Sequence, residues 1–155
     1  MRTVIVGIIS DTHGLLRDEA VRALAGAERI VHAGDVGRPE ILEQLAKIAP
    51  VTAVRGNVDR DRWAQFLPLT ETVEVGGVTL YVLHDLAELD LKPQAAGIDA
   101  VISGHSHMPL AETKDGVLYL NPGSAGPRRF RLPVTLTRLH INGERLRPEL
   151  VHLLP

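Results

Sequence analysis

Residues 3–13 read Thr3-Val4-Ile5-Val6-Gly7-Ile8-Ile9-Ser10-Asp11-Thr12-His13. A short apolar run rich in β-branched residues stops abruptly at an acid and an imidazole. Continuous rather than alternating hydrophobicity suits a strand buried on both faces, as in a parallel sheet. The next segments repeat the theme. Asp18 and Glu19 open a helical stretch with Leu16, Ala20, Val21 and Leu24 on one side and Gly26 as its stop. Arg29–Val31 is a second short strand. Pro39 fits the first turn of a helix in which Ile41, Leu42, Leu45 and Ile48 recur at helical spacing. Val51–Val54 is a third strand. The order β-α-β-α-β implies a parallel sheet with crossover helices.

Beyond residue 70 the pattern changes. Thr72–Val75 and Val78–Leu83 flank Gly76-Gly77, Leu110–Thr113 and Val117–Leu120 flank Lys114-Asp115-Gly116, and Val134–Ile141 and Arg145–Val151 flank Asn142-Gly143. Each reads as a hairpin, Asn-Gly being the strongest signal. Ala100–Ser103 is another buried strand, and a short helix is expected around Glu88–Ala96. The sum is an α/β domain whose second half is mostly antiparallel. Two packed mixed sheets, a β-sandwich flanked by α-helices, accommodate it.

The bulk properties set limits. The chain has 155 residues, 45% hydrophobic and 23% charged, which suits one globular domain spanning 1–155. Net charge is −2, so no basic field gathers nucleic acid, and Arg128-Arg129-Phe130-Arg131 is too small to supply one. Cysteine is absent, which excludes disulfides, thiolate metal sites and cysteine nucleophiles. Val4–Ile9 is too short to span a bilayer or serve as a signal peptide. These features lead to the expectation of a soluble, cytoplasmic protein without a membrane partner.

Chemistry gathers at the strand ends. After the five strands come Asp11 and His13; Gly34-Asp35; Gly56-Asn57; His84-Asp85; and Gly104-His105-Ser106-His107. In α/β sheets ligands collect outside the carboxyl ends of the strands. Imidazole with carboxylate suits Mn, Fe, Ni or Zn. Asp11, His13, Asp35, Asn57, His84, His105 and His107 are too many for one ion. Two ions sharing a bridging carboxylate use them all, with Asp35 on a central strand as the bridge. Such a pair, roughly 3.5–4 Å apart, attracts phosphate and can clamp both sides of a phosphoryl displacement.

Asp-x-His, Gly-Asp, Gly-Asn, His and Gly-His-x-His in this order resemble the calcineurin-like metallophosphoesterases. The short length and Asn121-Pro122-Gly123-Ser124 make the chain similar to the small phosphodiesterases of the YfcE type. The resemblance implies the metallophosphoesterase-like sandwich of two mixed sheets with helices outside. It implies two divalent ions, Mn2+ first and Ni2+, Fe2+ or Zn2+ as alternatives. Asp11, His13 and His107 would hold one ion, Asn57, His84 and His105 the other, with Asp35 between them. A metal-bridging hydroxide would then cleave a small phosphodiester substrate without a side-chain nucleophile. The oligomeric state is open, a homo-oligomer being one possibility.

Two departures stand out. Larger family members place a proton-donating histidine after Gly-Asn, and many small ones a cysteine, where this chain has Val58. His84 is followed by Asp85 where glycine is usual. Asp85 either hydrogen-bonds the neighbouring imidazole or faces solvent. Asp59 either supports Asn57 or caps the next helix. Arg55, Arg128 and Arg129 either receive a substrate phosphate or are solvated surface. The Asn-Pro-Gly-Ser segment is expected to turn beneath the site, and His32, His140 and His152 to be ordinary residues. The rival readings are a protein-binding scaffold of the Vps29 kind and a phosphate or nucleotide sensor.

Overall fold

The computed structural model describes residues 2–155. Among the described residues, ten strands form two five-stranded mixed sheets. The first has the order β10-β9-β1-β2-β3, built from β1 (Val4–Ile9), β2 (Arg29–His32), β3 (Val51–Ala53), β9 (Thr135–Asn142) and β10 (Arg145–His152). Its β1, β2 and β3 run parallel, and β9 pairs antiparallel to β1. The second has the order β4-β5-β6-β8-β7, built from β4 (Thr70–Val75), β5 (Val78–Leu83), β6 (Ala100–Ile102), β7 (Leu110–Lys114) and β8 (Val117–Asn121).

Strand alternation explains the two cores. Val4, Val6 and Ile8 point one way, joining Val31, Leu139 and Ile141 against Leu80, Val82, Ala100, Ile102, Leu118 and Leu120 of the other sheet. Ile9 points the other way, beneath α1 (Asp18–Ala23) and α2 (Pro39–Ala46), where Leu24, Ile41 and Leu45 are fully or almost fully buried. The helix pair therefore covers the outer face of the first sheet. Gly7 is a close-approach position, because a Cβ there would collide with Leu24.

The outer face of the second sheet is covered differently. Tyr81, Leu83, Ile98, Val101 and Val117 are buried there under Leu89 and Leu91. The helix expected over 88–96 does not form. A single 3-10 turn occupies Leu86–Glu88, and the chain then runs through bends to a closed turn in which the Ile98 amide donates to the Pro93 carbonyl. Pro93 explains this: its ring lacks an N–H and disfavours helical backbone at Lys92. Leu89 and Leu91, two apart, reach the sheet from extended chain. Other boundaries differ from expectation by one or two residues. Among the described residues, no helix is long and apolar enough to cross a membrane.

Candidate metal centre

The carboxyl ends of β1, β2, β3, β5 and β6 meet at one end of the sandwich. All seven side chains named from the strand ends join one connected cluster there. His107 Nε2 lies 3.3 Å from Asp11 Oδ1, and His13 Nε2 lies 3.7 Å from Asp11 Oδ1 and 3.6 Å from Asp35 Oδ2. His84 Nε2 is 3.2 Å from Asp35 Oδ2 and 4.0 Å from Asp11 Oδ1. Asn57 Oδ1 lies 2.9 Å from His84 Nε2 and 3.1 Å from His105 Nδ1.

Among the described residues, two groups of acids and imidazoles are compact enough to hold an ion: Asp11, His13 and His107, and Asp11, Asp35 and His84. Asp11 belongs to both. The imidazoles of Gly104-His105-Ser106-His107 part company. His107 packs on His13 at a ring separation of 5.3 Å, and His105 edges onto His84 at 5.2 Å.

The backbone pays for this convergence. Asp11, His13, Asp35, His105 and His107 all have φ between 47° and 69°. These five are most of the seven non-glycine residues with positive φ among the described residues. Left-handed backbone costs an L-residue on the order of 1–3 kcal/mol and concentrates at functional sites. Glycines leave room beside these residues. A Cβ on Gly56 would overlap the Asp35 carboxylate and amide, and one on Gly104 would come within 2.6 Å of Asp11 Oδ2.

Hydrogen bonds fix each acid by one oxygen and leave the other facing the cluster. Asp11 Oδ2 accepts from Ser10 Oγ (2.7 Å) and the His105 amide (3.1 Å). Asp35 Oδ1 accepts from the Val58 amide (3.0 Å). Asp11 Oδ1 and His13 Nε2 are buried with no hydrogen-bond partner. Burial would raise the Asp11 pKa, but His107, His13 and Ser10 outweigh it and hold the carboxyl far below the usual range. Asp35 behaves likewise: burial opposes its charge, and His84 with the Val58 amide prevails. Burial also opposes a charged His84, yet Asp35 beside it pushes that imidazole up to about 9.

His32 was expected to be an ordinary residue. It is fully buried beneath the cluster. Its Nδ1 accepts from the Gly34 amide at 3.1 Å, and its Nε2 lies 3.0 Å from Thr12 Oγ1, whose hydroxyl donates to the Val36 carbonyl. This chain of bonds suits a neutral ring, and burial pushes its pKa down to about 4. Nothing in the sequence distinguished it from a surface histidine except its position as the last residue of a buried strand.

A pH profile follows for the metal-free protein. The folded pKa of His84 lies above the ordinary 6.5, so its contribution is complete below pH 6.5 and lost as pH rises through about 9. The folded pKa of His32 lies below 6.5, so its contribution is complete above pH 6.5 and lost as pH falls toward 4. Each displacement is worth on the order of 3 kcal/mol. Urea unfolding of chelator-treated protein should give maximal stability near pH 6.5. A monotonic rise from pH 5 to pH 9 contradicts the His84 assignment, and a monotonic fall over the same range contradicts that of His32.

The remaining candidates take other places. Asp59 caps no helix and acts on the loop that carries Asn57 through the Gly56 amide. Its buried carboxylate accepts from the amides of Val36, Gly37 and Gly56, tying the loops after β2 and β3 together. The following 3-10 turn, Arg62–Phe66, starts at Asp61 without a side-chain cap. Asp85 turns away from its neighbour His84. Its Oδ1 accepts from the Ala87 amide, and its Oδ2 lies 3.9 Å from His105 Nε2. Arg55 shares a small cavity with Asn57, His84 and His105, though its guanidinium donates to Gln65 Oε1. Arg128 donates to the Pro155 carbonyl, and Arg129 is exposed. Asn121-Pro122-Gly123-Ser124 lies under the site as expected: Asn121 Nδ2 donates to the Gly104 carbonyl and Ser124 Oγ to the Asp11 carbonyl. His140 pairs with Glu149 at 2.8 Å on the far hairpin, and that imidazole holds the Glu149 carboxyl below its usual range.

Residues 4–144 match the calcineurin-like phosphoesterase superfamily domain. A probable metallophosphoesterase of Methanothermobacter thermautotrophicus is 32% identical over 96% of this chain and 92% of its own length. The phosphodiesterase YfcE of Escherichia coli is 32% identical over 74% of this chain and 76% of its own. In fold, Chaetomium thermophilum Vps29 superposes with a TM-score of 0.78 at 16% identity, covering 96% of this chain and 95% of that one.

Proposed function

We propose that this chain, which belongs to the calcineurin-like phosphoesterase superfamily, is a phosphodiesterase working with two divalent metal ions. The observation that carries the reading is Asp11 Oδ1. It is buried and accepts no hydrogen bond, yet three imidazole nitrogens stand within 4.0 Å of it. A buried polar atom left without a partner is costly, and a cation is the partner this donor set fits. His13 Nε2, equally unpartnered, points to the same space.

Asp11, His13 and His107 would hold one ion and Asn57, His84 and His105 the other. Asp35 Oδ2 faces one imidazole of each set, His13 at 3.6 Å and His84 at 3.2 Å, which supports its assignment as the shared ligand. His84 Nδ1 is 2.8 Å from the Ala33 carbonyl. Donation there fixes the ring and leaves the Nε2 lone pair for the site. Bound divalent ions lower the pKa of water and polarise phosphoryl oxygens as Lewis acids. The Val58 amide and Ser10 hydroxyl keep the two acids oriented, and no side-chain nucleophile is needed. Mn2+ is the preferred metal, with Ni2+, Fe2+ or Zn2+ as alternatives for a site of imidazole, carboxylate and amide. The substrate is a small phosphodiester.

Metal analysis of the purified protein, followed by turnover of bis(p-nitrophenyl) phosphate with and without Mn2+, tests this. About two equivalents of metal and metal-dependent turnover are expected. Two bound metals without turnover would favour the second reading, a protein-binding scaffold, which Val58 supports because its side chain cannot donate a proton.

A further inference from the structure

We propose that a groove beside His105 binds a flat aromatic ring carried by the ester, so that this chain selects phosphodiesters bearing a nucleobase or phenyl substituent. The inference rests on the phosphodiesterase reading and adds the part of the substrate that the metals do not touch.

The groove has a volume of about 310 Å³, at the small end of the ~300–1,000 Å³ typical of small-molecule sites. It lies on the outer face of the second sheet, where the segment covering that face ends at the 3-10 turn and the chain leaves β7 open. Leu86, Met108, Leu110 and Tyr119 supply apolar walls. Three of them are exposed: Leu86 at 37%, Met108 at 57% and Leu110 at 46%. β7 itself is exposed along its whole length.

His105 and Asp85 line the same groove, so it opens directly onto the metal centre through a ligand side chain. An ester whose phosphorus sits at the metals therefore has one organic group within reach of it.

The chemistry of the wall selects the occupant. Two of the polar side chains beside His105, Asn121 and Ser106, already hold protein partners. Asn121 Nδ2 donates to the Gly104 carbonyl and Ser106 Oγ, its Oδ1 accepts from the Gly123 amide, and Ser106 Oγ accepts from the Met108 amide. Pro109 brings no N–H. Asp85 disfavours a second phosphate here, and the wall between it and β7 is apolar. A flat apolar ring gains from Met and Tyr contacts, the thioether being well suited to an aromatic edge. Met108 and Leu110 follow His107 in the chain, so the metal motif and the groove wall are one continuous segment.

The test compares three anions on the Mn2+-loaded protein by calorimetry: methylphosphonate, phenylphosphonate and thymidine 5′-monophosphate. Phenylphosphonate should bind about tenfold tighter than methylphosphonate. In the double variant Met108→Gln, Leu110→Gln, which removes apolar wall without adding charge, that preference should fall below twofold, with methylphosphonate affinity unchanged. Both positions are exposed, and Met108→Gln alone carries the same comparison if the double variant folds poorly. A further gain for thymidine 5′-monophosphate identifies the natural ring as a nucleobase, and a gain for phenylphosphonate alone identifies a simple aryl ester. Equal binding of methyl and phenyl anions overturns the proposal, as does a parallel loss of methylphosphonate in the variants. If methylphosphonate fails to bind the metal-loaded protein at all, the phosphoesterase reading falls first and this one with it.

Discussion

Replacing Asp35, the shared ligand of the proposed two-metal site, by Asn should remove both metals from micromolar reach and lower phosphodiester turnover by about three orders of magnitude, ~4 kcal/mol of barrier. The substitution keeps the shape of the side chain and the Val58 amide bond to Oδ1. It removes the charge on the oxygen that faces His13 and His84 together. It also removes the main support for a protonated His84, whose pKa should then fall back toward the ordinary value. Metal stoichiometry and histidine titration by NMR check the two consequences separately. A variant that retained two metals and full activity would show that Asp35 is not shared between them.

The second large effect concerns the leaving group. Val58 follows Asn57 at the rim of the site, 44% exposed, and offers no side-chain proton. General acid catalysis is typically worth ~10²–10⁴-fold. The wild-type protein should therefore hydrolyse aryl diesters far faster than alkyl diesters, because a phenolate leaves without help. Val58→His should raise alkyl diester turnover by about 10²-fold and leave aryl turnover nearly unchanged. A plot of log kcat against leaving-group pKa reads both statements: steep in the wild type, flatter in the variant. Equal wild-type rates on the two classes would mean that another group supplies the proton.

Much of the architecture follows from patterns that are local in the chain. Continuous apolar runs mark β1, β2 and β6, and glycine pairs or Asn-Gly mark the hairpins, because burial on two faces and tight reversal each demand particular residue types. The order of the parallel strands then sends Asp11, Asp35, Asn57, His84 and His105 to one end. What the sequence did not disclose is tertiary. Leu89 and Leu91 suit a helix or an extended cover equally well until Pro93 is weighed. Asp85 is adjacent to His84 in the chain but faces His105, because the backbone turns into the Leu86–Glu88 segment between them. Asp59 lies two residues from Asn57 yet serves the loop after β2. His32 is a single imidazole whose importance rests on complete burial. The divergence of His105 and His107 depends on two consecutive left-handed ligands (φ 69° and 63°) flanking Ser106, which strand alternation does not anticipate.

The candidate ligand cluster also has a mechanical meaning. Asp11, His13, Asp35 and Asn57 extend from the first sheet, and His84, His105 and His107 from the second. The cluster is thus a seam across the open end of the sandwich. Elsewhere the two sheets meet through aliphatic side chains, which resist separation but allow slippage. A cation gripped by both sheets acts as a rivet against shear. Loss of metal would then make the two halves more compliant to each other, first at the mouth of the site and then down through the aliphatic layer.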